Sequence, residues 1–172
     1  MARKNLRQVL VTILERGLSV GAFIFSFMES CYYFGQQTFM TSDVPVLNNF
    51  YINNIDKFGV VYGQNLLIIF GVMIGIFNVC SRGMLPLSKF ARFNIIQAIL
   101  VNILCSVEGQ IYVALPLIIR QSTLGTIICT GSFFLVVLTI FYCSFLVLLG
   151  KYPVIPIVTD AAFLQVQRHR RR

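Results

Sequence analysis

A chain of 172 residues that is 57% hydrophobic, only 12% charged and +0.80 in mean hydropathy cannot cover a surface that meets water on most sides, since soluble domains run at roughly 45–50% apolar and about 25% charged residues. Its outer face must meet lipid or apolar protein, and the length allows one domain containing about four spans of roughly twenty residues. The net charge of +8 is gathered at the two ends and in one loop, which is the distribution of topology signals and headgroup contacts and not of a nucleic-acid footprint.

Residues 1–16 come first, with Arg3, Lys4, Arg7 and Arg16 against Glu15. A signal peptide begins on such a basic region. Here the following apolar stretch is long, is interrupted by Glu29 and lacks a small-residue cleavage site, and the segment is short and serine-poor for a transit peptide. It is expected to be a basic amphipathic lead-in at the membrane interface, on a product made in its own compartment or already trimmed.

Four apolar runs follow, at residues 17–35, 62–80, 93–119 and 124–150. Each is long enough to cross about 30 Å of hydrocarbon at about 1.5 Å per residue. The expected fold class is therefore an all-α membrane protein, a four-transmembrane-helix bundle over residues 17–150, with an interfacial and basic C-terminal tail at 151–172. Between the first two runs, residues 37–61 form the one sizeable outer loop, with a turn at Asp43-Val44-Pro45 and an aromatic stretch from Asn49 to Phe58. It suits either a short interfacial helix or a solvated connector.

Orientation follows from the lysines and arginines. Arg3, Lys4, Arg7 and Arg16 precede the first run, Arg82, Lys89 and Arg92 lie between the second and third, and Lys151, Arg168, Arg170, Arg171 and Arg172 follow the fourth. Only Lys57 and Arg120 fall on the other side. The positive-inside rule then puts both termini on the inner side.

Two carboxylates, Glu29 and Glu108, lie inside runs, where charge is costly and faces a bundle interior or a water cavity. On the third run, Asn94, Gln97, Val101, Cys105, Glu108 and Tyr112 recur at helical spacing along one face. Ser26, Glu29, Tyr33 and Gln36 make a comparable face on the first. Two such faces either line a polar path for a translocating substrate or hold the bundle together by interhelical hydrogen bonds. A proton relay between Glu29 and Glu108 is a further reading of the same pair. Gly71 and Gly75 in the second run have the spacing of a close helix contact, continued by Asn78. Gly125, Thr130, Gly131, Ser132 and Thr139 in the fourth are read as packing positions.

No constellation for catalysis is present: the one histidine, His169, sits in the basic tail, and there is no phosphate loop, HExxH or nucleophile elbow. The five cysteines contain no CxxC pair and mostly fall in apolar runs, as small hydrophobes do. An enzyme, a metal site and a cofactor are all unexpected.

The stretch Arg92-Phe93-Asn94-Ile95-Ile96-Gln97-Ala98, with Ser81-Arg82 and Ser88 before it, opens the third run, and Ile155-Pro156-Ile157 with Asp160-Ala161 follows the fourth. Together these resemble the Tic-twenty family of the chloroplast inner-envelope translocon, including its plastid-encoded algal relatives, over roughly residues 82–165. The resemblance implies a subunit of that translocon in the plastid inner envelope membrane, helping form or support the preprotein-conducting path into the stroma. Its implied partners are other inner-envelope translocon subunits, the outer-envelope translocon, preproteins in transit and membrane lipid, with no nucleic acid. Arg92, Phe93, Pro156 and Asp160 carry the motif. Arg92 is expected to anchor at headgroups with Phe93 at the interface, and Pro153 and Pro156 to break the helix. The alternatives are a small-molecule or ion transporter using Glu29 and Glu108, a non-conducting scaffold or assembly subunit, and, for location, a cyanobacterial plasma membrane. One copy has too few helices to enclose a pore for an extended polypeptide, so any channel needs several copies or partner subunits.

Overall fold

The computed structural model describes the backbone of residues 2–40 and 45–167, and side chains within residues 12–40 and 45–166. The side chains of Arg3, Lys4 and Arg7, the Asp43-Val44 half of the expected turn, and Arg168 to Arg172 with His169 lie outside the described residues. The described residues are all helical or loop, with no strand.

Helix α1 (Ala2–Ser30) runs without a break into a π-helical turn, π1 (Cys31–Gly35), and on into α2 (Gln36–Met40). After the undescribed residues come α3 (Pro45–Phe50), a second π-helical turn π2 (Tyr51–Ile55) and α4 (Asp56–Gln64). Helix α5 (Leu66–Arg82) leaves at 80° to the Pro45–Gln64 segment. The expected second run at 62–80 therefore is not straight: Tyr62 to Gln64 belong to the helix before the bend, and Asn65 at φ −116, ψ 18 forms the corner. Helix α6 (Lys89–Ala114) and α8 (Thr123–Leu148) are joined through the short α7 (Leu117–Arg120), and α9 (Val158–Gln167) closes the described chain. The third run, read as 93–119, ends at Ala114, because Pro116 has no N–H to donate and disfavours helix at Leu115.

Among the described residues, α6 and α8 are long and apolar enough to cross a membrane, and the bent pair of Pro45–Gln64 and α5 makes a third span if it is counted as one. At 26 residues each, α6 and α8 extend about 39 Å at about 1.5 Å per residue.

The chain forms two compact units. The first holds the described parts of Met1–Ile24, Val72–Val101 and Phe141–Arg172. Here α6 is capped by the preceding Ser88, whose Oγ accepts from the Ala91 N–H at 3.2 Å while the Ser88 N–H donates to Glu15 Oε1 of α1 at 2.9 Å. Two orphan donors of the helix start are thus satisfied, one of them by a carboxylate from another helix. Helix α8 ends at Gly150, φ +75, with the Gly150 N–H donating to Val147 O and the Lys151 N–H to Leu146 O, both at 2.9 Å. That paired closure needs a left-handed residue, which glycine supplies without a Cβ clash. Arg16 Nη1 donates to Leu148 O at 2.8 Å in the same turn. Aromatic rings gather around the buried Phe93: it lies 4.4 Å from Phe163 and 5.1 Å from Tyr152, both of them partly open to the outside, with Phe90 also 5.1 Å from Tyr152.

The second unit, Phe25–Gly71 and Asn102–Ile140, has its core in Cys31, Phe34, Cys105, Tyr112, Cys129, Phe133 and Val136. Phe39 stacks on Tyr51 at 4.7 Å and meets Phe133 edge-on at 5.3 Å. The turn π1 and helix α4 come together at Gly59 and Gly63. A Cβ on Gly59 would meet the Cys31 backbone at 3.2 Å, and one on Gly63 would collide with the Tyr32 ring. This is the close small-residue contact that sequence reading placed at Gly71 and Gly75, yet nothing lies within 4 Å of a Cβ at either of those glycines.

Candidate functional site

The second unit contains a buried polar node. Glu29, on the last turn of α1, is 0% exposed. Asn102 Nδ2 donates to its Oε2 and the Ser106 hydroxyl to its Oε1, both from α6, one turn apart. The Tyr62 phenol of α4, 3% exposed, hydrogen-bonds to the same carboxylate. Three helices are thus pinned on one side chain, and a carboxylate is the group for this place because it is surrounded by donors and accepts at both oxygens.

Immediately beyond it, π1 inserts one extra residue and turns the rest of the helix by about 100° relative to a regular one. This has a direct consequence for the polar face read from sequence. Gln36, expected to continue Ser26, Glu29 and Tyr33, is exposed, and Gln37 points inward instead. Gln37 Nε2 donates to Arg120 O at 2.6 Å, and the Tyr112 hydroxyl donates to Gln37 Oε1 at 2.5 Å. The wider π turn is also bridged: the Tyr51 hydroxyl from π2 donates to Cys31 O at 3.3 Å.

The six positions of the α6 stripe do not act as one line. Cys105 and Tyr112 join the core of the second unit, while Glu108 is exposed and receives a 2.5 Å hydrogen bond from the Ser132 hydroxyl of α8. Glu29 and Glu108 have different partners. The residues that hold Glu29, Asn102 and Ser106, lie off the stripe. Their own signal was present in the sequence as a polar pair four residues apart, which is one helical turn.

In the first unit the two motif stretches meet. Gln97, 0% exposed, donates through Nε2 to Pro153 O at 3.3 Å and to Thr159 Oγ1 at 3.2 Å. Thr159 Oγ1 also accepts from the Ile155 N–H at 2.7 Å. One α6 amide therefore fixes the turn between α8 and α9. Asn94, also 0% exposed, donates Nδ2 back to Phe90 O at 2.8 Å, and its Oδ1 and the Gln97 Oε1 have no partner. Phe93 is 1% exposed within the aromatic cluster and so does not present its ring to headgroups. Arg92 is half-buried, whereas Pro156 and Asp160 are exposed, the latter in the first turn of α9 where a carboxylate complements the helix dipole.

The residues so arranged fall inside a match to the family model described as "Chloroplast import apparatus Tic20-like", which spans residues 13–162. The chain belongs to that family. Individual Tic20 family proteins agree along nearly the same length. "Tic20 family protein Ycf60" of Gracilaria tenuistipitata var. liui is 30% identical over 164 residues, 91% of this chain and 77% of that protein. The protein of the same name from Cyanidium caldarium is 29% identical over 154 residues, covering 90% and 74%. That of Pyropia yezoensis is 33% identical over 86 residues, half of this chain and 42% of the relative. Tic20-like membership, with two helices able to cross a bilayer, makes this a membrane protein of the plastid.

Proposed function

We propose that this chain is a subunit of the protein translocon of the chloroplast inner envelope, supporting the path by which preproteins enter the stroma. The family match over residues 13–162 carries this reading. In the proposal, four spans cross the membrane with both termini in the stroma, as the twelve basic residues on one side against Lys57 and Arg120 on the other favour. The first span is α1 through π1, and the bent α4–α5 pair is the second. The protein works without catalysis, metal or cofactor, alongside other inner-envelope subunits and in contact with the outer-envelope translocon.

The geometry favours support over lining. Glu29, Asn102 and Gln97 are all fully or almost fully buried and spend their hydrogen bonds on neighbouring helices or on the α8–α9 turn. A path wide enough for an extended polypeptide is then built with partner subunits. The experiment is to arrest a preprotein in transit, solubilise the envelope gently and ask what this chain travels with. Co-purification with a large complex and cross-links to the arrested preprotein are expected. Recovery only as a free small protein would overturn the proposal.

A further inference from the structure

We infer that the face of α6 and α8 around Glu108 is a docking surface inside the membrane for a transmembrane segment of a partner protein that carries a basic side chain. Glu108 is exposed on α6, six residues before the helix ends at Ala114. Its neighbours on that face are aliphatic: Leu104 is 56% exposed, Val107 52% and Ile111 62%. On α8, Ile128 and Leu135 are 43% and 64% exposed. The Ser132 hydroxyl supplies one hydrogen bond to Oε1 and no charge, and among the described residues no ion pair reaches the carboxylate.

A carboxylate on a membrane span is costly unless it turns to a bundle interior, to water or to a partner. The interior is closed at this level, because Gly109 fits directly against the Tyr33 ring and Cys105 and Tyr112 are buried in the core. A water-filled groove would have to be lined by the exposed leucine, valine and isoleucine side chains. A partner helix satisfies both observations at once: its apolar surface covers the aliphatic residues, and its lysine or arginine matches the charge. A second copy of this chain does not, since the same face against itself opposes two carboxylates. The inference needs only that α6 and α8 cross a membrane, and it stands or falls separately from the import role.

The test places a photo-cross-linking residue, benzoylphenylalanine, at Val107 or Ile111 in the full chain within its native membrane, with adducts identified by mass spectrometry. Adducts to one membrane-spanning segment containing a lysine or arginine are expected. Their yield should fall about tenfold or more in Glu108→Lys and return when that basic residue is changed to glutamate. Glu108→Gln, which keeps the shape, should lower the yield without unfolding the protein. Adducts with lipid alone, with a second copy, or only with a chain in transit would overturn the inference. So would a yield indifferent to Glu108→Lys and Glu108→Gln.

Discussion

Glu15 and Arg16, neighbours on α1, serve opposite poles of two different helices: the Glu15 carboxylate accepts from the first turn of α6 through the Ser88 N–H, and the Arg16 guanidinium donates to the last turn of α8 at Leu148 O. Each charge has the sign its pole attracts. Arg16 also lies against the left-handed Gly150, where a Cβ would run into its guanidinium. A single turn of α1 thus fixes where α6 starts and where α8 stops.

Removing either charge should destabilise the protein modestly and independently. Glu15→Ala is expected to cost about 0.5–2 kcal/mol, the range for a lost N-terminal cap, and Arg16→Ala about 0.3–1 kcal/mol for a cation at an exposed C-terminus. The two should add, because they act on different helices. Thermal unfolding in detergent at low and high salt checks this, with the Arg16 effect shrinking as salt rises. Equal effects at both salt concentrations would mean that the charge–dipole contact is not what Arg16 provides.

The two glycine pairs make predictions of opposite sign. Gly63→Ala should be strongly destabilising, because the new methyl meets the Tyr32 ring, and Gly59→Ala should follow it, since the Cys31 backbone 3.2 Å away has little room to yield. An expected cost of about 1–3 kcal/mol each is typical of overpacking. Gly71→Ala and Gly75→Ala have open space and should stabilise the isolated protein by about 0.5–1 kcal/mol through helix propensity. Unfolding midpoints of the four variants in one detergent decide the matter. A destabilising Gly75→Ala would locate a helix contact that the isolated chain lacks.

Much of the helical layout was legible in the sequence, and the reason is local. Pro116 stops α6, and Lys151 to Pro156 separate α8 from α9, through chain chemistry that acts within a few residues. The buried Asn94 and Gln97 could likewise be placed on one face of α6 by counting. The count failed wherever the helix itself departed from 3.6 residues per turn. One residue inserted in π1 turned Gln36 outward and Gln37 inward, and nothing in Cys31-Tyr32-Tyr33-Phe34-Gly35 announces it. Its supports are the Tyr51 hydroxyl and the Gly59 approach, both more than fifteen residues away along the chain. The 80° corner at Asn65 falls where Gly63-Gln64-Asn65 interrupts the apolar residues on either side, a polar break that reading 62–80 as one run passes over. Glu108 was placed with the buried stripe because spacing alone does not tell a core-facing polar residue from one awaiting a partner.

At the Glu29 node the expected outcome depends on donors and acceptors, not on size. Glu29→Gln replaces one acceptor with an NH2: toward the Asn102 amide it opposes a donor, and toward the Ser106 hydroxyl it is accepted only if that hydroxyl turns its own O–H away from Glu29 into the buried site. A buried donor set against a donor costs about 1–3 kcal/mol, so this near-isosteric change should be clearly destabilising. Adding Asn102→Asp restores an acceptor opposite the new NH2 and should recover most of the loss. The double-mutant cycle from unfolding midpoints tests it, and a cycle with no coupling would show that Asn102 and Glu29 do not act as a pair.

The turn between α8 and α9 stores strain at an exposed position. Ile157 has φ +68 and is 84% exposed, and the Val158 N–H donates across it to Pro156 O at 2.8 Å. A three-residue turn of this hand is rare and strained, and a β-branched residue there is worse. The strain amounts to about 1–3 kcal/mol and is held by the Gln97 and Thr159 bonds that fix the turn on both sides. Ile157→Gly removes the Cβ clash at a smaller entropic cost, so it should stabilise the purified protein by about 1 kcal/mol. Ile157→Pro, whose ring holds φ near about −65°, should instead lower stability and loosen the α9 attachment. Hydrogen exchange of the α9 amides together with the unfolding midpoint reads both effects. If glycine and proline shifted stability in the same direction, the left-handed turn would not be what the Gln97 and Thr159 bonds enforce.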